Sequence, residues 1–230
     1  MHFEHSSEIW GSFPDLVPGV LYAEGIVPGA TVEESVNKFY GVAESRLAGG
    51  PESEFPEIQA WRRAFSAMGF KPTQYRCASE SLLRRFRKEK SLPRLTPVID
   101  LCNAISLAFA IPIAVFDTEC IDQFITVRHA TGDEEYLTFS KEIENPGARE
   151  VIFADGARQA HARRWTNRQS LRSAVNEGTS RILIVAEAMH GAASADVARL
   201  IEAVSGELGS HWDVSPRSTI LSAASPRFDF

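Results

Sequence analysis

Two short polar segments contain residue types that could bind an anion or a polar ester. The segment "RCASESLLRRF", residues 76–86, combines three arginines, one glutamate and two serines. The segment "RRWTNRQS", residues 163–170, places Trp165 among arginine and amide side chains. Guanidinium groups bind phosphate and carboxylate oxygens, and an indole ring can stack on a ligand ring. Each segment is therefore either part of a binding site or a solvated rim beside the core.

The charge of the chain is unevenly distributed along the sequence. The net charge is −6, but residues 62–94 carry +8 and residues 149–172 carry +4, which leaves the remainder near −18. A generic nucleic-acid binder would be basic overall. This distribution instead predicts a basic surface for a polyanion on an otherwise acidic body.

Four helices are predicted before residue 110 from apolar residues spaced three and four apart. Thr31 and Glu34 are predicted to form a capping box at the start of the first helix, and Pro56 begins the second. Ser79 is the predicted N-cap of the third helix, whose outer face is basic, and Thr96 precedes the fourth.

The fourth predicted helix, "TPVIDLCNAISLAFA", is apolar on almost every face. Its exceptions are Asp100, Asn103 and Ser106, which follow one another at intervals of three residues. Buried polar groups need partners, so this stripe either braces a neighbouring loop or contacts a ligand. Both interpretations stay open at this point.

From residue 111 the apolar period becomes two, which is typical of strands. Asp155-Gly156 predicts a hairpin turn, "TSRILIVAEAM" a central strand, and Ser194 the N-cap of a last helix. The fold class is therefore α+β, with a helical N-terminal half packed on a mostly antiparallel sheet in the C-terminal half. We expect a single domain over residues 1–230 with a core at about 10–215.

Several common chemistries have no signature in this sequence. Phosphate-binding glycine loops, HExxH and GxSxG are absent, and the three cysteines form no CxxC pair. His129, His161 and His190 lie on or beside predicted strands and are expected to be structural. We expect no metal and no cofactor, and arginine and backbone donors would stabilise any oxyanion that forms.

The motifs together resemble a known family. The segments "PVIDLCNAISLAFAIPIAVFD", "YRCASESLLRRF", "LPRLTPVIDLCNAISL" and "ARRWTNRQS" are similar, in order and spacing, to the B3/4 domain. That domain edits aminoacyl-tRNA in the beta subunit of bacterial phenylalanyl-tRNA synthetase. The chain looks like a free-standing member of this family, and the resemblance covers roughly residues 10–215.

The resemblance implies trans-editing, that is, hydrolysis of the ester bond of a mischarged aminoacyl-tRNA without metal or cofactor. One departure concerns Ala114, which stands where the synthetase domain carries a histidine. A second concerns the glutamate that recognises tyrosine in the synthetase: its position falls near Val185, with Glu187 two residues further on. Tyrosine specificity is therefore not carried over.

The resemblance and the charge pattern together give three sets of candidate residues. Those expected at the ester are Arg76, Glu80 and Arg164. Those expected around the amino acid are Tyr75, Ser79, Asn103, Phe116, Asp117, Trp165, Asn167, Gln169 and Glu187. Those expected to meet tRNA phosphates are Arg84, Arg85, Arg87 and Lys88.

Two other functions fit the same residues. The chain could be a non-catalytic module that binds tRNA or an amino acid, which Ala114 favours, or an acyl transferase that uses aminoacyl-tRNA as donor in small-molecule biosynthesis. In each case the expected partner is tRNA or aminoacyl-tRNA. The sequence has no membrane-length apolar run and no signal-peptide pattern at its start, so we expect a cytoplasmic protein.

Overall fold

The computed structural model describes residues 1–230 and contains six α-helices. The helices are α1 (Ser7–Ser12), α2 (Glu33–Ala48), α3 (Pro56–Ala67), α4 (Ala78–Glu89), α5 (Pro97–Phe109) and α6 (Ala193–Trp212). Both α3 and α5 begin with proline, which suits the first turn because the amide there has no intrahelical partner. None of the helices combines the length and the apolar character that crossing a bilayer requires.

The strands form two main sheets and one short pair. The strands are β1 (His2–His5), β2 (Val17–Glu24), β3 (Ile113–Asp117), β4 (Phe124–His129), β5 (Tyr136–Leu137), β6 (Ile143–Glu144), β7 (Val151–Ala154), β8 (Ala160–Arg163), β9 (Arg168–Gln169), β10 (Arg181–Ala188), β11 (Arg217–Ile220) and β12 (Arg227–Asp229). One sheet has the order β12-β1-β4-β7-β8-β9, the other β11-β2-β10-β3, and β5 pairs with β6. Only the pairing of β1 with β4 is parallel.

The interior strand β10 separates two hydrophobic cores. Because side chains alternate along a strand, Leu183 and Val185 enter the core that contains Trp61 and Trp165. Ile182, Ile184 and Ala186 enter the other core, which α5 and α6 also form. Glu187 continues the first series, so the alternation directs this carboxylate to the aromatic side of the strand.

A glycine on β2 allows α6 to pack closely against the sheet. Gly19 pairs with Ala186 of β10, and a methyl group added to it would lie 2.5 Å from Ile201 and 2.7 Å from Val197 of α6. No side chain fits there without moving the helix. Close packing of α6 on this sheet therefore depends on a residue that has no side chain.

The α+β class and the main helices predicted from the sequence are confirmed. The predicted N-caps are wrong, because Val32, Cys77 and Ala192 occupy these positions instead of Thr31, Ser79 and Ser194. The N-terminal half is also not purely helical, since β1 and β2 each enter one of the two sheets. β2 contains Pro18 and Gly19, which lower its strand signal in the sequence.

The polar residues of α5 mainly brace the chain around the helix. Asp100 Oδ1 accepts a hydrogen bond from the Leu95 amide at 2.8 Å, and Ser106 Oγ donates to the Ile111 carbonyl at 2.6 Å. Asn103 is half-buried and lines a surface groove. Asp117, at the end of β3, is also a brace: its Oδ2 accepts from Thr179 Oγ1 at 2.6 Å.

Asp117→Ala should lower the free energy of unfolding by about 1–3 kcal/mol, because it leaves the Thr179 hydroxyl and the Glu119 amide without their acceptor. Asn103→Ala should change stability by less than about 0.5 kcal/mol, since its side chain makes no hydrogen bond within the chain. Chemical denaturation of the two variants and the parent tests both statements. Equal decreases in the free energy of unfolding for the two variants would contradict the conclusion that Asp117 braces the fold and Asn103 does not.

Candidate functional site

A pocket lies between the start of β3, the end of β10 and the turn that joins β8 to β9. Its apolar walls come from both sheets, and its polar groups cluster at the turn and at Glu187. The lining residues are Ala78, Pro112, Ile113, Ala114, Phe153, Ala162, Trp165, Thr166, Asn167, Arg168, Gln169, Val185 and Glu187. A pocket with apolar walls and a few converging polar groups is typical of a small-ligand site.

The turn after β8 has an unusual backbone. Arg164 and Trp165 both lie in the left-handed region, with φ of 47° and 57°. Large side chains rarely adopt this conformation, and each such residue costs about 1–3 kcal/mol unless its surroundings hold it. The Trp165 amide donates to the Val151 carbonyl at 2.7 Å, so main-chain bonding to β7 contributes to holding the turn.

The buried carboxylate of Glu150 is the main support of this turn. It accepts hydrogen bonds from Arg163 Nε at 2.8 Å, from the Arg164 amide at 2.9 Å and from the Gly147 amide at 3.1 Å. Burial by itself raises the pKa of Glu150, but the hydrogen bonds and the charge of Arg163 outweigh it. The pKa of Glu150 therefore lies below its ordinary value.

Three hydrogen bonds fix the rest of the turn as the rim of the pocket. The Thr166 carbonyl accepts from the Ala78 amide at 2.8 Å, at the start of α4. Asn167 Nδ2 donates to the Arg76 carbonyl at 2.7 Å, and Gln169 Nε2 donates to the Val115 carbonyl at 2.6 Å. The rim is therefore attached both to α4 and to β3.

Glu187 is the charged group at the inner end of the pocket, and its side chain is 2% exposed. Its Oε1 accepts from His5 Nε2 at 2.7 Å and from Trp165 Nε1 at 3.0 Å. Its backbone carbonyl accepts from Trp61 Nε1 at 3.2 Å. The other carboxylate oxygen has no partner within the chain, so it remains available to a donor in the pocket.

Further polar groups surround the mouth of the pocket. The hydroxyl of Thr166 is buried and makes no hydrogen bond. Arg168 is the only cationic residue in the lining; its guanidinium lies 5.7 Å from the centre of the Tyr136 ring and 3.6 Å from Glu144 Oε2. The pocket thus combines a buried anionic end, apolar walls and one arginine near solvent.

Four of the predicted amino-acid-binding residues line this pocket: Trp165, Asn167, Gln169 and Glu187. Trp165 is fully buried, so its ring forms a wall and its Nε1 binds Glu187. The remaining five do not line it. These are Tyr75, Ser79, Asn103, Phe116 and Asp117.

The three residues predicted to act at the ester lie behind the rim instead of in the pocket. Glu80 is fully buried and is paired with Arg62, at 2.7 Å, and with Arg76, at 3.3 Å. The Arg164 guanidinium lies 4.8 Å from the centre of the Tyr75 ring. Arg76, Ser79 and Glu80 therefore do not line this pocket, and the buried Glu80 carboxylate holds Arg62 and Arg76; of that segment, only Ala78 is part of the lining.

The predicted phosphate-binding residues lie on α4 and are largely paired. Arg84 and Arg87 both contact the buried carboxylate of Glu52, at 3.3 and 3.0 Å. Arg85 pairs with Glu89 at 2.8 Å, where both side chains are about half exposed. Lys88 is exposed and makes no ion pair.

Cys77 and His161 are structural in this fold. Burial raises the pKa of the Cys77 thiol to about 11, so it is protonated at neutral pH. His161 lies between Ser173, at 2.8 Å, and Asp155, at 3.1 Å, an arrangement with the residue types of a catalytic triad. All three are buried and none of them lines the pocket, so this group braces the β7–β8 hairpin.

Sequence reasoning missed His5, Thr166 and Arg168. Arg168 and Thr166 belong to the segment "RRWTNRQS", where the side chains that reach the pocket depend on the left-handed turn. His5 lies 182 positions before Glu187, and a bond across that separation has no signal in a single sequence.

The fold and the pocket define an α+β protein with a small-ligand site built on two sheets. The family model for the B3/4 domain matches residues 60–206, and the chain therefore belongs to the B3/4 domain family, which confirms the resemblance in the motifs. All residues of the pocket lining fall within this segment. None of the curated proteins matches the sequence.

One solved structure with similarity to this chain is an N-terminal fragment of the phenylalanyl-tRNA synthetase beta-subunit from Pyrococcus horikoshii. The two chains are 10% identical, and the TM-score is 0.48. The alignment covers 94% of this chain and 50% of the fragment, so the present chain spans about half the length of that structure.

Glu150→Gln should lower the free energy of unfolding by about 3 kcal/mol near pH 7, because it removes the charge that holds Arg163. The pKa of Glu150 is lower in the folded state, so its contribution is complete above its unfolded pKa near 4.5 and is lost as pH falls through the folded value. The difference between parent and variant should therefore shrink below about pH 4.5.

Chemical denaturation at several pH values measures this difference. Glu119→Gln is the matched control, since it removes an exposed carboxylate that pairs with Arg181 at the surface. The control should differ little from the parent at any pH. A constant difference for Glu150→Gln across the whole pH range would show that the charge of Glu150 does not stabilise the fold.

Proposed function

We propose that the protein is an aminoacyl-tRNA deacylase that hydrolyses the ester of mischarged aminoacyl-tRNA in trans. The observation that carries this proposal is the available oxygen of Glu187 at the inner end of a pocket with apolar walls. Membership of the B3/4 domain family and the likeness of the motifs to a tRNA-editing domain support the choice of substrate. We also propose that residues 1–230 act as a single domain.

Glu187 suits recognition of a polar group on the amino acid. Two donors, His5 and Trp165, occupy one of its oxygens and fix the orientation of the carboxylate. The second oxygen can accept a charge-assisted hydrogen bond from an ammonium or a hydroxyl group of the substrate. A substrate that lacked the donor would leave a buried carboxylate oxygen unpaired, which costs about 1–3 kcal/mol or more.

Arg168 is the residue we assign to the ester end. It is the cationic residue of the lining and lies near the mouth, where the ester and the terminal ribose would emerge. A guanidinium there can stabilise the negative charge that develops on the carbonyl oxygen. Arg76, Glu80 and Arg164 would then support the rim from behind, through the contacts already described.

The proposed reaction needs no protein nucleophile. Water adds to the ester carbonyl carbon, and the bond between that carbon and the ribose oxygen breaks. The ribose oxygen receives the proton that water loses, and a neighbouring ribose hydroxyl can relay it. The enzyme contributes binding, orientation and stabilisation of the oxyanion.

A scan of the purified protein against tRNAs charged with each amino acid tests the function. Release of the free amino acid above the rate without protein supports deacylation. Protection of the ester without release would replace the proposal by a binding module. Transfer of the amino acid only when an amine acceptor is added would replace it by an acyl transferase.

Glu187→Gln should lower kcat/KM for deacylation at least tenfold and leave tRNA affinity unchanged, because the amide keeps the shape but loses the charge at the inner end of the pocket. Glu80→Gln is measured beside it, since Glu80 is equally buried but only supports the rim and does not line the pocket, so its effect on the rate should be smaller. Single-turnover hydrolysis and tRNA binding are measured for both. A slower reaction in Glu80→Gln alone would return the catalytic role to Glu80.

The exposed face of α4 is the surface that we propose for tRNA phosphates. Arg85→Glu combined with Lys88→Glu should weaken tRNA binding. The slope of log K against the logarithm of the salt concentration should become shallower by about one for each phosphate that the variant no longer binds. Arg84 and Arg87 are left intact because reversing their charge would leave the buried carboxylate of Glu52 without a cationic partner. Lys38→Glu, an exposed lysine on α2, is the control; an equal effect there would argue against a specific role for α4.

A further inference from the structure

A second group of side chains with ligand chemistry lies outside the Glu187 pocket. Glu57 is in the first turn of α3, His190 follows β10, and Asp196 is in the first turn of α6. One ligand atom from each lies within 4.8 Å of the others. This trio shares no residue with the pocket lining, and the reaction proposed above does not use it.

Two polar atoms of this trio have no partner. His190 Nε2 and Asp196 Oδ2 are 2.7 Å apart. Glu57 Oε2 and His190 Nδ1 have no hydrogen-bond partner within the chain. Water cannot easily replace the missing partners, because both atoms are buried and their side chains are only 9% and 4% exposed. Buried polar atoms are almost always paired, so an unpaired carboxylate oxygen in a group whose ligand atoms lie within 4.8 Å of one another points to a bound cation.

The outward oxygens of both carboxylates are held by arginines. Arg46 Nη2 donates to Glu57 Oε1 at 2.7 Å, and Arg199 donates to Asp196 Oδ1. Each carboxylate is therefore oriented through one oxygen while its other oxygen belongs to the cluster. This division is the arrangement found around metal ligands, whose carboxylates are themselves hydrogen-bonded from outside.

We propose that Glu57, His190 and Asp196 form a binding site for a divalent first-row metal ion, with Zn²⁺ as the best match. One imidazole and two carboxylates are ligand types that Zn²⁺ accepts, and three protein ligands leave a position open. Glu57 and Asp196 line a surface cavity, which gives that position access to solvent. The site does not depend on the proposed deacylase function.

Zn²⁺ alone is the probe for this site. Isothermal titration of the chelator-treated full chain should show saturable binding with one high-affinity ion per chain. Glu57→Gln, His190→Gln and Asp196→Asn should each weaken that binding at least tenfold. His129→Gln is the matched control, because His129 is a histidine at the edge of β4 outside the cluster, and it should leave the affinity unchanged.

Anomalous scattering at the zinc edge from crystals of the zinc-loaded parent gives a second measurement that does not require any variant to fold. A peak between the three side chains supports the proposal. No saturable binding, an affinity that is the same in parent and all three variants, or a peak at another place would overturn it. The trio would then be an ion-pair network that links α3 to α6.

Discussion

The geometry of the site depends on the carboxylate of Glu150. Two consecutive residues with large side chains, Arg164 and Trp165, take left-handed backbone angles, each at a cost of about 1–3 kcal/mol. Glu150 offsets this cost because it receives the Arg164 amide as well as the guanidinium of Arg163. With the turn held in this form, the indole of Trp165 enters the core and the residues after it become the rim of the pocket.

A second constraint is that a buried carboxylate needs donors. The alternation of side chains along β10 places Glu187 in an aromatic core, where an unpaired charge would be strongly destabilising. Trp165 supplies one donor from the turn and His5 supplies the other from β1. Glu187 therefore links the N-terminal strand and the Glu150-supported turn, and one of its oxygens is left for a ligand.

Local periodicity in the sequence predicted helices and strands, but it did not predict contacts between residues that lie far apart in the sequence. The apolar pattern of "TSRILIVAEAM" predicted the strand that carries Glu187, and the apolar residues spaced three and four apart in α2 and α3 gave the buried faces of these helices. The segment "RRWTNRQS" was recognised as polar and aromatic, but only the left-handed turn decides that Trp165 points inward and Arg168 outward. The pairing of Glu80 with Arg62 joins two helices across 18 positions, and spacing gives no signal for it.

The need of buried carboxylates for cationic partners also reduces the free positive charge of the two basic stretches, residues 62–94 and 149–172. Three buried carboxylates each engage two of their arginines: Glu52 holds Arg84 and Arg87, Glu80 holds Arg62 and Arg76, and Glu150 holds Arg163 with Arg164 at a longer distance. Much of the positive charge counted along the sequence is therefore neutralised in the fold. The exposed cations of these stretches that make no ion pair include Lys88 on α4 together with Arg63, Lys71, Lys90 and Arg149, while Arg168 lies at the pocket. In the proposed function an anionic substrate would meet Lys88 on α4 and Arg168 on the rim of the pocket, two parts of the surface that the hydrogen bond from Ala78 to Thr166 joins.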